Sequence, residues 1–242
     1  MKLERLNTIF FAINIMFCLN CFSTIKAQSV DTISVDVVVS DTMAVINSSE
    51  SQISEGESFS NLYKNNNDPC GKKIFRGSKL ALGFGVMIAG ILEILPERIS
   101  KWEKYDKWNR TKMKNNFISA YTNPPVIDHD LWLINYIGHP YQGGFYYNNI
   151  RSQGANIWTS SVYCLGQSLV WEYVLESSFE RPSIQDLITT PIGGVIIGEL
   201  AHIITFKMSK NGFNTLEKIV VCVINPSYAI NNGLKTTKMI KY

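Results

Sequence analysis

The chain has 242 residues, of which 45% are hydrophobic and 18% charged, enough apolar material for a sizeable core. Its formal net charge of +3 is close to balance and, with the export signal read below, argues against a nucleic-acid partner. There is no nucleophile elbow, phosphate loop or His-Glu-x-x-His helix, so the familiar soluble-enzyme classes gain no support.

The first residues read as a signal peptide over 1–27. Lys2 and Arg5 make a basic start, Thr8 to Phe22 an apolar stretch, and Ile25-Lys26-Ala27 a cleavage site that leaves Gln28 as the mature N-terminus. A lipoprotein would use Cys21, which Asn20 fits poorly, and the remaining alternative is an uncleaved anchor helix. Over 28–69 seven acidic residues face one lysine, Lys64, and no hydrophobic period persists; this predicts a disordered acidic linker. Within it, Ile33 to Val39 alternates and could pair as a strand with some partner.

The helical domain is expected over 70–242. There, 19 Lys plus Arg stand against 12 Asp plus Glu, a net of +7 that the whole-chain balance hides. Much of the excess lies in Lys72 to Lys79 and Lys101 to Lys114, beside apolar segments, where it favours anionic headgroups or solubilises a surface. Three cysteines follow the signal, Cys70, Cys164 and Cys222; an odd number without paired zinc spacing predicts inert thiols, with a Cys164–Cys222 bridge as the minor alternative.

Ser78 to Leu95 is apolar for about a bilayer's width, with lysines and Arg76 around its start and Pro96 after it; it is either a membrane span or a long core helix. Glu97 to Met113 predicts a helix with Trp102, Tyr105 and Trp108 beside a basic stripe, ended by Asn123-Pro124-Pro125. Asp130 to Tyr136 predicts a short helix closed at Gly138, and His139-Pro140 then begins a Gly-rich loop through Asn149. Ala155 to Glu176 is the clearest helix, with Ser161, Ser168, Glu172 and Glu176 in one stripe that faces solvent or a polar interior.

Pro182 to Leu187 reads as a helix start capped by Ser183, with Asp186 three positions on, and Thr190-Pro191 as a kink or restart. From Ile192 to Phe206, Gly194, Gly198, Ala201 and Thr205 form a small-residue face for a close helix approach. Leu216 to Ile224 is a last apolar piece, helix or strand, before a basic, Asn-rich tail.

Several pieces of this stretch occur together: Asn135-Tyr136-Ile137-Gly138-His139-Pro140-Tyr141-Gln142-Gly143, Arg151-Ser152-Gln153-Gly154, Trp171-Glu172-Tyr173 with Glu176, Pro182-Ser183-Ile184-Gln185-Asp186-Leu187, and Gly193-Gly194 leading to Gly198-Glu199. Collinear in this order, they resemble the bacterial family known as domain of unknown function 3943, over about 130–226. The resemblance implies a shared fold and no particular reaction. More loosely, His, helical Glu, Ser-x-x-Asp and Gly-x-x-x-Gly in that order are similar to small VanZ-like helical membrane proteins of glycopeptide resistance.

The candidate chemistry lies in His139, Glu172, Glu176, Asp186 and Glu199, with Arg151 as counter-ion or anion holder and His202 as an outer member. Glu172 and Glu176 at i and i+4 present two carboxylates on one face, and Glu199 with His202 at i and i+3 has the spacing of a carboxylate–imidazole metal pair. A divalent metal held by Glu172, Glu199 and His139 is one expectation. Against it stand ordinary roles: Asp186 as a helix cap, His139 bonded to a loop carbonyl, and a structural ion-pair network with Arg151.

The sequence therefore predicts a mainly α-helical bundle of the bacterial cell envelope, membrane-associated or periplasmic, whose role is structural or interaction-based. Its partners would be membrane lipid and other envelope proteins. The alternative is a membrane-embedded, metal-dependent hydrolase or transferase acting on lipid or glycan, with Glu172 or Glu199 as general base and His139 as acid or ligand.

Overall fold

Long apolar runs set the two longest helices, despite the glycines in both and Pro191 in the second. In the computed structural model, which describes residues 63–97, 108–210 and 212–235, α1 runs Cys70–Ile94 and a later helix Ile184–Ser209. Between them lie α2 (Arg110–Thr122), α3 (His139–Arg151) and α4 (Ile157–Val170); the long helix is α5, followed by α6 (Thr215–Ile224) and α7 (Pro226–Asn232). Two π-helical segments complete the set, Ile134–Gly138 leading into α3 and Trp171–Glu176 extending α4. One isolated parallel bridge, Val126 to Ser183, ties the segment before α3 to the start of α5. The predicted helical bundle is what forms.

Asn and Ser side chains place the helix starts. Asn109, Asn156, Ser183, Asn214 and Asn225 each accept a backbone N–H from the first turn of the helix they precede, satisfying donors that no earlier turn can reach. At Asn214 the bond is reciprocated by Glu217.

The segment expected to be a Gly-rich loop is the central helix of the bundle. Two interior glycines lower intrinsic helix propensity by about 1 kcal/mol each, and that is why the local signal reads as loop. Tertiary packing decides otherwise. A Cβ on Gly143 would lie 1.9 Å from the Thr190 carbonyl oxygen and one on Gly194 would lie 2.5 Å from Gly143 Cα, so α3 and α5 touch backbone to backbone. His139 faces Thr190, Gly143 faces Gly194, and Tyr147 faces Gly198, which makes the two helices parallel and in step. The small-residue face of α5 thus finds its partner in α3.

Other expectations shift at their boundaries. Helix α5 continues through Pro191 without restarting. Of the helix expected over Glu97–Met113, Trp108 and Asn109 are not helical and α2 begins at Arg110; residues 98–107, with Trp102 and Tyr105, lie outside the described residues. Leu216 to Ile224 is helical, and the tail after it forms α7. Of the expected linker, 63–69 packs on the bundle: Tyr63 is buried and Lys73 Nζ donates to the Asn66 carbonyl at 2.8 Å. The signal peptide and the rest of the linker, including Ile33 to Val39, lie outside the described residues. Cys164 is buried, Cys222 exposed, and both are free thiols.

The polarity of α5 and of the second half of α1 is inverted, while rings such as Phe145, Tyr146 and Tyr147 form a buried core. Asn148, Asn149, Ser152, Gln153, Thr205 and Asn225 are at most 1% exposed, whereas Ile192 is 58% and Leu200 56% exposed. Exposed Ile and Leu recur along α5 at 188, 192, 196, 200 and 204, and exposed Val86, Met87, Ile91 and Ile94 cover the second half of α1. Several buried amides donate to one another and to backbone: Asn148 to the Gly198 carbonyl at 2.9 Å, and Asn231 to Ser152 Oγ at 2.8 Å, while Asn148 Oδ1 and Asn149 Nδ2 make no hydrogen bond among the described residues.

Candidate functional site

Two polar clusters occupy opposite ends of the α3–α5 pair. Thirteen residues separate Asp186 from Glu199 on α5, about 20 Å along a helix rising 1.5 Å per residue.

At the far end, Arg151 closes α3 and Glu199 projects from α5. Arg151 Nε and a terminal guanidinium nitrogen donate to the two Glu199 oxygens at 2.9 and 2.8 Å, a bidentate pair. The other terminal nitrogen donates to the Ala155 carbonyl at 3.0 Å, and the Tyr147 hydroxyl also donates to Glu199. His202 does not join Glu199 as a metal pair; its Nε2 lies 2.9 Å from the Tyr63 hydroxyl, with the two rings stacked. This cluster is an ion pair with its lone pairs filled. Glu199 therefore stands apart from the metal set Glu172, Glu199 and His139 expected from the sequence, because α5 carries it more than three turns beyond Asp186.

At the near end, His139 opens α3, Glu172 comes from the π-segment after α4, and Asp186 from the first turn of α5. All three side chains are buried, and one ligand atom from each lies within 4.8 Å of the other two. His139 Nδ1 is 3.2 Å from Thr190 Oγ1, and its Nε2 is 3.5 Å from Asp186 Oδ1. The Ser183 backbone N–H donates to Glu172 Oε2 at 3.0 Å. Glu172 Oε1 and Asp186 Oδ1 make no hydrogen bond among the described residues, although an unpaired polar atom in such a place costs on the order of 1–3 kcal/mol.

Both π-segments abut this end, and the wider turn of a π-helix is often found where a side chain must be re-aimed at a functional site. Asp186 is also in a capped turn, since its backbone N–H donates to Ser183 Oγ at 3.3 Å; its carboxyl group, however, faces the cluster. Glu176 lies beside the cluster, accepting from Trp171 Nε1 at 2.6 Å. Of the serine–carboxylate stripe on α4, Ser168 and Glu172 face the interior, which settles the solvent-or-interior alternative for those two.

Asp128, Asn135 and Thr190 were not among the sequence candidates. The Ser183 hydroxyl donates to Asp128, and the Asn135 amide donates to Asp128 Oδ1 at 2.6 Å. Burial pushes the Asp128 carboxyl upward, but the bonds from Ser183, the Asp130 N–H and Asn135 outweigh it and hold the group below its ordinary value. The Asp128-His129-Asp130 triplet was a visible charge signal. Nothing in the sequence tied it to a serine 55 residues away.

A mostly apolar cavity of about 760 Å³ adjoins the near end, between α1 and α3, lined by Leu80, Phe84, Met87 and Phe145 and, at its polar side, by His139, Gln142 and Glu176. Chemically, the near end offers an imidazole and carboxylate oxygens lacking partners, next to a space for an apolar molecule. The far end also holds an imidazole, His202, whose Nδ1 makes no hydrogen bond among the described residues, but its carboxylate is engaged at both oxygens by Arg151 and Tyr147.

Residues 124–227 match the family model described as domain of unknown function (DUF3943). The match spans both clusters and confirms the first resemblance; the looser likeness to VanZ-like proteins has no match to carry it. No curated protein and no solved structure matches the chain.

Proposed function

We propose that the protein is an exported helical component of the cell envelope that inserts into a membrane, where its buried polar clusters organise the bundle. The inverted polarity carries this reading. Two helices, Cys70–Ile94 and Ile184–Ser209, are long and apolar enough to cross a bilayer by length and composition, yet only 22% and 39% of their most apolar windows are buried. A core helix of a water-soluble bundle would be mostly buried; here the Ile and Leu stripe of α5 and the apolar second half of α1 face outward while amides are buried inside, an arrangement suited to lipid as the solvent. Close small-residue packing of α3 on α5 fits the same setting, since helices in lipid associate through tight contact and interhelical hydrogen bonds. The roles left to this protein are then structural and interactive, with lipid acyl chains against α1 and α5 and other envelope proteins as partners.

Alkaline carbonate extraction of membranes from cells expressing the full chain tests the insertion, with the protein expected in the pellet. Release into the supernatant overturns it. Intact mass of the purified protein, expected to begin at Gln28, tests the export signal separately.

A second reading, a membrane-embedded hydrolase or transferase acting on lipid or glycan, is favoured by one observation: His139, Glu172 and Asp186 meet beside the apolar cavity. In that chemistry Glu172 is the general base and His139 the acid. Glu199, held at both oxygens by Arg151, serves the fold.

A further inference from the structure

We propose that His139, Glu172 and Asp186 form a binding site for one divalent transition-metal ion, of which Zn2+ is the first to test. The inference stands independently of membrane insertion, because it rests on the interior of the bundle.

Three observations point to a cation. The donors come from three separate segments and converge in one buried spot, each offering an atom within 4.8 Å of the others. Donors around a tetrahedral Zn2+ with bonds of about 2.1 Å sit about 3.4 Å apart, so small rotations of the side chains close the set. Glu172, only 3% exposed, has an oxygen without a hydrogen bond among the described residues, and so does Asp186 at 5%. Among the described residues neither pairs with a Lys or Arg, and when both are ionised their two negative charges are what a divalent ion beside a neutral imidazole would neutralise.

The atoms on the far side of His139 and Glu172 are already held. Thr190 Oγ1 sits at His139 Nδ1; with the proton on Nδ1, the Nε2 lone pair points to the space it shares with Asp186 Oδ1. Ser183 N–H fixes Glu172 Oε2 and leaves Oε1 available. Outer hydrogen bonds of this kind orient metal ligands, and Asp128, bonded to Ser183, extends them. One nitrogen and two carboxylates suit Zn2+ or Mn2+; Ca2+ takes six to eight oxygens, and Mg2+ keeps most of its water. The far cluster shows the contrast, for there a guanidinium fills the place a metal would take.

The test uses the full chain in detergent, stripped with chelator and reloaded with Zn2+ or Co2+ alone. The expected result is one Zn2+ per chain by elemental analysis after desalting, a melting temperature that rises with Zn2+ concentration, and a Co2+ spectrum without thiolate bands. Glu172→Gln, Asp186→Asn and His139→Gln, checked for helicity by circular dichroism, should each abolish the Zn2+-dependent shift. His129→Ala and Cys222→Ser should keep it, since both side chains are exposed and outside the cluster. A wild-type protein that retains no ion and melts at the same temperature with and without Zn2+ overturns the proposal, whatever the variants do. So does Zn2+ retained in all three cluster variants, or lost with Cys222→Ser.

Discussion

At one end of the α3–α5 pair a carboxylate is gripped by a bidentate guanidinium and a tyrosine hydroxyl; about 20 Å away along the same helices, two carboxylates and an imidazole face each other with oxygens left over. Both clusters are buried and both draw on the same two helices, the near one with Glu172 added from the π-segment after α4. They differ in whether the chain supplies its own countercharge. Arg151 does so at the far end, and a buried pair with its lone pairs filled is a structural element. Among the described residues no Lys or Arg does so for Glu172 or Asp186 at the near end, and an incomplete buried set is the arrangement expected of a site that receives something.

The largest effect expected from breaking this contrast is at Arg151. Arg151→Ala strands the Glu199 carboxylate in the interior, and by analogy with other broken buried pairs the loss is about 3–5 kcal/mol, read as a collapse of the thermal or denaturant transition in detergent. A wild-type-like melt would mean that Glu199 is not held as the geometry shows. Next comes Gly143→Ala, whose added methyl group meets the Thr190 carbonyl and pushes α3 from α5. Overpacking of this kind costs about 1–3 kcal/mol, and because the two helices carry both clusters, metal affinity and stability should fall together.

Glu172→Gln sharpens the comparison in the opposite direction. Burial and the nearby Asp186 and Asp128 hold the Glu172 carboxyl well above the ordinary glutamate value, which favours its neutral form in chelator-treated protein; Gln is a neutral replacement that keeps an oxygen for the Ser183 N–H, so stability should change by less than about 1 kcal/mol. A loss as large as that of Arg151→Ala would show the near end to be as fully paired as the far one. The smallest effect is in acid. Asp128 is held below the ordinary aspartate value of about 3.9, so the folded protein binds fewer protons there than the unfolded chain. Its stabilising contribution is whole above that value and disappears as pH falls through the lowered folded value. Asp128→Asn should therefore flatten the acid limb of the melting temperature against pH, and an unchanged limb assigns the acid loss to other groups.

Much of this bundle was readable from local pattern. The helix start at Ser183 follows from capping chemistry, and the small-residue face at Gly194, Gly198, Ala201 and Thr205 announced a close neighbour. Helix α3 was not readable, because its glycines and polar residues signal a loop to any rule that weighs one segment alone. The same limit applied to the site. Five acidic or imidazole candidates were visible as oddities in apolar surroundings, but spacing along one helix suggested pairing Glu199 with His202, and the structure gives each a different partner.

What the chain determined by itself is the helical class, the caps, the inward-facing small residues and the presence of buried ionisable groups, since each depends on neighbours within a few turns. Which carboxylate receives a guanidinium and which is left facing an imidazole was decided only by the parallel docking of α3 on α5, with the π-segment bringing in Glu172. That choice depends on contacts between residues tens of positions apart, and sequence periodicity carries no record of such distances.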